Sequence, residues 1–328
     1  MIKNRKMKDL FGNEISVKIK IDRVDLAHAL FKIFYGMPLS SFVRFFTNEY
    51  IEIMEYLELC LGKKGCTKTT LLFNPHRLQT KVKNQRWSIY QALQDKSFYY
   101  GLARALIFKS NIKHWEKIYQ VLQLNINGAQ YINEFPPYIA RKLGKDYNLN
   151  LNSKILDPCG GWGGRMIGLS TLSSSYTCFE PCSLTYKGLV ELSQFIQFCN
   201  KDFKPEVKNI PFEDSNLPNG YYDFALTSPP YYDIEEYTEE KTNSMNRYTN
   251  FEDWTNGFYL PMITKTMKAL KKGSPFILNI GNRTYPLDTI LKKLSKKYEI
   301  TRIKDYLSSP GGLRNPNKGE LFFEIRTK

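Results

Sequence analysis

The sequence predicts an α/β protein, with a mostly parallel, seven-stranded sheet over residues 129–328 and a mainly helical, basic domain over residues 1–128. Two textures carry that division. From Asp25 to about Leu124, apolar residues recur at helical spacing, as in Leu26, Leu30, Ile33 and Phe34, and again in Ile51, Met54, Tyr56 and Leu59. After about Asn150 the chain becomes short apolar runs closing in acidic or glycine-rich turns, separated by stretches long enough for a helix. With 328 residues and 42% hydrophobic content, there is room for one large domain or two modest ones with a real core.

Charge follows the same division. Residues 1–150 hold 24 Lys and Arg against 12 Asp and Glu, and residues 151–328 hold 23 against 20, so most of the net +15 lies in the first half. Such an excess concentrates polyanions, and neutralised phosphates release counterions, which makes nucleic acid the first partner to consider. A solvated, lysine-rich surface is the bland alternative. Between Arg77 and Lys117 basic and aromatic residues interleave. Lys81, Lys83, Arg86 and Arg104 are the candidate phosphate contacts, beside Trp87, Tyr90, Tyr99, Tyr100 and Trp115 for base stacking. An amphipathic helix pair with its aromatics in the core fits the same stretch equally well.

The six cysteines form no C-x-x-C pair and lack histidine partners, so they read as reduced, mostly buried thiols, with no metal site. Without a signal peptide or an apolar run of about 20 residues, the expected location is the cytoplasm, wherever the nucleic acid lies, with no membrane contact.

Candidate strands are Lys154–Leu156, Ser175–Phe179, Val207–Ile210, Phe224–Thr227, Pro275–Ile280, Ile300–Tyr306 and Leu321–Arg326, the last two an apparent hairpin around the loop Ser308–Gly319. In such sheets ligands bind at the carboxyl ends of the strands, so the loops that follow them should hold the chemistry.

The first strand leads into Asp157-Pro-Cys-Gly-Gly-Trp-Gly-Gly-Arg165. Glycines there permit positive φ and close approach of a ligand to the backbone. Asp157 is placed to accept from a cationic amino group. The next strand closes in Glu180, placed to accept both hydroxyls of a ribose. A glycine-rich turn alone is weak evidence, but an acid precedes the glycines and no G-x-G-x-x-G or G-K-[ST] follows. The stretch resembles the Rossmann-like class I fold of S-adenosyl-L-methionine-dependent methyltransferases, whose first strand ends in D-P-x-x-G-x-G, matched by Asp157, Pro158, Gly161 and Gly163. The resemblance implies S-adenosyl-L-methionine as cofactor, with Glu180 on its ribose. It also implies Glu213, or less well Asp214, at the adenine amine, and Phe135 of Glu134-Phe-Pro-Pro-Tyr138 packed on the cofactor; a plain core aromatic is the alternative for Phe135. Cys159 stands where amino-methyltransferases commonly carry Phe, and Trp162 where a small residue is usual. Pro158-Cys159 also invites a cytosine C5 reading, but a nucleophilic Pro-Cys belongs after the fourth strand.

After that fourth strand comes Thr227-Ser-Pro-Pro-Tyr-Tyr-Asp233, the most specific signal in the chain. An exocyclic base amine is a poor nucleophile because its lone pair is delocalised, so a catalyst must accept its hydrogens and favour a more tetrahedral nitrogen. The Ser228 hydroxyl and the Pro229 carbonyl can both accept, Pro230 stiffens the turn, and Tyr231 offers a stacking face. In duplex DNA the base would have to flip out. The turn resembles the [D/N/S]-P-P-Y motif of DNA amino-methyltransferases, matched by Ser228, Pro229, Pro230 and Tyr231. Ser in the first position favours cytosine N4 over adenine N6. A restriction endonuclease partner, in a prokaryotic or phage setting, goes with that family.

Asp233, Glu235, Glu236, Glu239 and Glu240 make an acidic run that reads either as a lid over a flipped base or as a solvated loop. The motif order leaves target recognition to the first 128 residues, assisted by Arg314 and Lys318. Two alternatives remain: an RNA methyltransferase acting on guanine N2 or adenine N6, and a non-catalytic nucleic-acid-binding subunit. The intact set of Asp157, Glu180 and Ser228–Tyr231 argues against the second.

Overall fold

In a computed structural model the described residues are 2–8, 14–20, 29, 32–66, 68–95, 129–281, 284–303 and 320–328. They fall into two compact units: Met1–Phe46 with Asn84–Ile132, and Thr47–Lys83 with Asn133–Lys328. The expected boundary at residue 128 therefore shifts, because residues 47–83 fold with the sheet. Their helix α1 (Glu49–Cys60), capped by the Asn48 side chain on the Ile51 amide, buries Tyr56 and Leu59 in the same core as the sheet strands.

The first unit is not helical from its start. Strands β1 (Ile2–Lys8) and β2 (Glu14–Lys20) form an antiparallel hairpin with Ile2 opposite Lys20 and Lys8 opposite Glu14. The alternation of Ile15, Val17 and Ile19 with polar residues is a strand signal. Helices follow at Leu39–Arg44 and Ile89–Leu93, the latter opened by a capping box of Ser88 and Gln91. Phe34, Phe42 and Phe46 form a buried aromatic cluster there.

In the second unit, α1 is followed by helix α2 (Thr69–Phe73), strand β3 (Lys81–Val82) and helix α3 (Pro137–Asp146). Then come β4 (Lys154–Asp157), α4 (Gly164–Ser170), β5 (Ser175–Phe179), α5 (Ser183–Cys199), β6 (Lys204–Lys208), β7 (Phe224–Thr227) and β8 (Glu235–Glu236). The chain continues through α6 (Leu260–Ala269), β9 (Phe276–Gly281), α7 (Leu287–Lys292), β10 (Tyr298–Ile303) and β11 (Glu320–Thr327). Seven of the strands make one sheet in the order β10-β11-β9-β7-β4-β5-β6, parallel throughout except for β11, which runs antiparallel to both neighbours.

Both faces of the sheet are covered, so its strands read as continuous apolar runs. Successive residues go to opposite cores: Ile155, Phe224, Leu226 and Ile277 to the side of α1, α3, α4 and α5, and Leu156, Ala225, Phe276 and Leu278 to the side of α6 and α7. Strand β6 lies three residues earlier than expected. It is an edge strand with much of its surface in solvent, and its exposed Lys204 and Glu206 give it no apolar run.

From β4 the chain moves outward to β5 and β6, then returns to place β7 on the other side of β4. The loops after β4 and β7 thus diverge at a topological switch point, where a crevice opens.

Candidate active site

That crevice is a cavity of about 210 Å³ whose walls come from the loops after β4, β5, β6 and β7. On one side lie Pro158, Cys159, Gly161 and Gly163 of the glycine loop. Gly163 and the adjoining Gly164 do what no other residue can do cheaply. Gly163 caps α4 at φ 93°, and a Cβ there would stand 2.3 Å from Leu192 Cδ2. Gly164 passes so close to the Phe135 carbonyl that a Cβ would lie 2.0 Å from its oxygen.

Asp157 is at the expected place in the chain but does not face the cavity. It is fully buried, and both its oxygens are occupied. Oδ1 accepts from Thr227 Oγ1 at 2.7 Å and from the Cys159 amide at 3.2 Å. Oδ2 accepts from Arg165 Nε at 2.8 Å and the Tyr176 hydroxyl at 2.5 Å. The sequence expectation was an ammonium of a ligand on Asp157; in this structure its carboxylate is occupied by these four partners. Asp157 ties β4 to β7 and holds Arg165, and it is Arg165 that lines the cavity. The Arg165 guanidinium also donates to the Cys159 carbonyl and sits 5.5 Å from the Phe135 ring centroid.

Glu180 lies in the wall. Its carboxylate accepts from the Gly161 amide at 3.1 Å and the Cys182 amide at 3.0 Å, so it clamps the glycine loop to the start of α5. Burial pushes its carboxyl up to about 7, against those two amides. Glu213 lines the cavity, raised by burial, and accepts from the Tyr248 hydroxyl at 3.2 Å. Asp214 does not; it turns outward and forms a two-pronged pair with Arg247 at 2.6 and 2.9 Å. Phe135 faces the cavity and packs edge-on against Phe322.

Ser228, Pro229, Pro230 and Tyr231, after β7, line the same cavity. Ser228 Oγ lies 3.2 Å from the Tyr231 hydroxyl. The Tyr231 ring is pressed against Gly281 at the end of β9, where a Cβ would meet it at 2.8 Å. Tyr232 takes φ 63° and joins Phe251, Trp254 and Tyr285 in an aromatic cluster behind the turn.

Cys159 lies in the wall too, but burial and the neighbouring Asp157 hold its thiol far above the usual range, the opposite of a nucleophilic thiolate. Trp162 is nearly buried, edge-on to His76 and Tyr237.

The acidic run after the motif is anchored. Asp233 pairs with Lys83 and accepts from the Tyr285 hydroxyl at 2.5 Å. Strand β8 pairs antiparallel with β3, Val82 opposite Glu235 and Lys81 opposite Glu236. Glu240 caps α5 through the Ser183 amide and hydroxyl at 3.0 and 2.8 Å. The reading as a freely solvated loop is corrected accordingly. Lys83, expected on phosphate, spends its charge on Asp233. Arg86 is exposed with its guanidinium 4.2 Å above the Trp87 ring. Arg104 and Arg314, and the loop that carries Lys318, lie outside the described residues.

Three cavity residues escaped sequence reasoning. Glu134 receives Arg77 at 2.9 Å and the Thr70 hydroxyl, and burial raises its carboxyl to about 7. Glu235 receives the Tyr237 hydroxyl and is likewise pushed up to about 7. Arg165 is the third. Glu134 meets Thr70 and Arg77 across tens of residues, which no local pattern reveals, although an acid directly before Phe135 was a visible signal.

The strand order, the antiparallel β11 and the loops after β4, β5 and β7 make this the Rossmann-like class I methyltransferase fold. No protein-family model matches the chain, and no curated protein sequence matches it. Among solved structures it is similar to the tRNA (m1A58) methyltransferase TrmI from Aquifex aeolicus, with a TM-score of 0.42 and 16% identity over 60% of this chain and 71% of that one. A modification subunit of a putative type I restriction enzyme from Vibrio vulnificus gives a TM-score of 0.41 and 19% identity over 78% of this chain and 60% of that one. TrmN from Thermus thermophilus gives 0.42 and 13% over 59% and 49%.

Proposed function

We propose that the protein methylates an exocyclic base amine in DNA from S-adenosyl-L-methionine, with cytosine N4 favoured over adenine N6. One observation carries the reading: the Ser228–Tyr231 turn and the glycine loop with Glu180 line a single cavity. The donor set fits the cofactor. Glu180, held by two backbone amides, matches a ribose diol; Glu213 matches an adenine amine; Phe135 offers a flat face; and Arg165, backed by Asp157, matches the carboxylate of an amino-acid arm. The bound cofactor supplies an electrophilic methyl group on a sulfonium.

The chain's own residues do the rest. Ser228 Oγ and the Pro229 carbonyl accept the hydrogens of the amine and hold its lone pair toward the methyl. Two prolines keep that carbonyl from turning away. Tyr231, seated on Gly281, stacks on the base and offsets part of the cost of flipping it, which is a few kcal/mol. The proton left on nitrogen after transfer departs to solvent by way of Ser228. The basic N-terminal region, with Arg86 exposed, is the proposed backbone-binding and target-recognition part.

The test is incubation with methyl-labelled cofactor and DNA or RNA in separate reactions, digestion, and identification of the nucleoside by mass spectrometry. N4-methylcytosine or N6-methyladenine in DNA is the expected product. Label confined to RNA moves the substrate class, and no label in either polymer, with cofactor binding demonstrated, rejects the enzyme.

A further inference from the structure

We propose that Tyr231 is, through its hydroxyl, a positioning residue for the reaction: it holds the Ser228 oxygen toward the acceptor amine, and Gly281 keeps it in place by seating the tyrosine ring. This rests on the methylation reading of the same cavity.

A serine at the head of this motif needs such a hold. Asp, as the carboxylate, and Asn present an oxygen that carries no hydrogen, so it meets an amine only as an acceptor. A serine oxygen swings among three staggered positions about one bond and carries a hydrogen of its own that rotates as well. Ser228 is also the first residue beyond β7, past the register that sets Thr227 beside Leu278.

The hold is present in the structure. Tyr231 Oη lies 3.2 Å from Ser228 Oγ. One side of the tyrosine ring rests on Gly281, the last residue of β9, where an added Cβ would meet ring carbons Cε2, Cδ2 and Cζ at 2.8, 3.1 and 3.4 Å. The backbone at Gly281 is strand, outside the left-handed region that calls for glycine. What excludes a side chain at 281 is therefore the Tyr231 ring. Gly281 is fixed in turn by its neighbours: β9 pairs with β7, and Glu320 of β11 stands opposite Gly281. Seat and serine are thus referred to one sheet, which sets the span from Gly281 through the ring to Ser228.

The chemistry works with this hydrogen bond in either direction. If Ser228 donates to Tyr231, its hydrogen points away from the amine and both lone pairs of Oγ stay open. If Tyr231 donates, one lone pair remains. In both cases Oγ is kept in one rotamer, in the cavity that both residues line, with an acceptor lone pair for the amine. Without the phenol oxygen, Oγ is free to turn aside or to aim its own hydrogen at the amine. That misplacement costs rate and leaves the stacking ring intact.

The test is a double-mutant cycle read as the single-turnover rate of methyl transfer, on the polymer that the labelling experiment shows to be methylated. Affinities for S-adenosylhomocysteine and for that polymer, measured on each protein, check that it is folded and binds. Tyr231→Phe keeps the ring and should lower the rate about tenfold, with both affinities within about threefold of wild type. In the Ser228→Ala background the same change should cost less than about twofold, because the oxygen it positions is gone. Gly281→Ala, which crowds the ring off its seat, should lower the rate at least as much as Tyr231→Phe, and adding Tyr231→Phe to it should cost little more. A tenfold loss from Tyr231→Phe that persists in the Ser228→Ala background overturns the proposal, because the hydroxyl then acts elsewhere. A wild-type rate in Tyr231→Phe or in Gly281→Ala overturns it too, as does a loss of polymer affinity in Tyr231→Phe that matches the loss of rate. A wild-type protein that binds S-adenosylhomocysteine and methylates neither DNA nor RNA overturns the methylation reading, and this role with it.

Discussion

The two walls of the cavity are built on different plans. On the wall proposed for the cofactor the polar groups are satisfied by near neighbours in the sheet: Asp157, behind the lining, binds four groups from the glycine loop, β5, β7 and α4, and Glu180 binds two amides. On the wall proposed for the acceptor the Ser228–Tyr231 turn is held by packing on Gly281 and by the anchors of the acidic run, Lys83 on Asp233 and β3 on β8, residues about 150 apart in the chain. A ligand that is the same in every turnover suits a preformed cradle. A base that must leave its stack suits a wall whose supports are few and long-range. Damage to the first wall should therefore appear as lost stability and cofactor affinity, and damage to the second as lost rate.

Asp157→Ala tests the first wall most severely. It strands the buried Arg165 guanidinium, and breaking a buried pair costs about 3–5 kcal/mol. Thermal unfolding should drop on the order of 10 °C, with cofactor affinity falling in parallel. A variant as stable as wild type that had lost only rate would show that Asp157 works on substrate and not through Arg165.

Ser228→Ala is the counterpart on the second wall. Loss of one acceptor that acts in the transition state should lower kcat about 10²–10³-fold, while affinity for S-adenosylhomocysteine by calorimetry stays within about twofold. Equal losses in both would erase the contrast between the walls.

The walls also differed in how far the sequence disclosed them. Ser175–Phe179 and Phe224–Thr227 are strands at the expected bounds, because buried parallel strands are continuous apolar runs between turns. The motif after each main strand lies in the cavity, and Glu213 lines it where Asp214 does not. Asp157 was legible as a position but not in its role, because Thr227 and Tyr176, which saturate it, are local to other strands. Glu235 was legible only as one acid among five; its partner Tyr237 is two residues away, but its strand pairs with β3, far back in the chain. The hairpin of β1 and β2 went unread although Ile15, Val17 and Ile19 alternate plainly.

Glu180→Gln should weaken S-adenosylhomocysteine about tenfold, since a hydrogen bond to a charged group contributes about 1.5–3 kcal/mol and the amide keeps part of it. The pH sign follows from the raised carboxyl. In the ligand-free protein Glu180 is protonated below about 7, so its contribution to stability is full below the ordinary 4.5 and is lost as pH rises through 7. Accepting two hydroxyls favours the ionised form, so binding at pH 6 should release protons. Calorimetry in two buffers of different ionisation heat reads that release directly, and it should vanish in Glu180→Gln.

The smallest effect separates two basic residues that the sequence placed together. Lys83 is half exposed and paired with Asp233, and such surface pairs contribute about 0.2–1 kcal/mol, so Lys83→Ala should shift thermal unfolding by only about 1–3 °C. Its charge is already matched, so the slope of log affinity for DNA against log salt should stay put. Arg86 is exposed and rests on Trp87, with its charge open to phosphate, and Arg86→Ala should make that slope shallower by about one phosphate contact. Fluorescence anisotropy titrations at four salt concentrations distinguish the two. If Lys83→Ala changed the slope and Arg86→Ala did not, the phosphate path would run along the acidic run that supports the acceptor wall, and Lys83 would have to leave Asp233 whenever DNA binds.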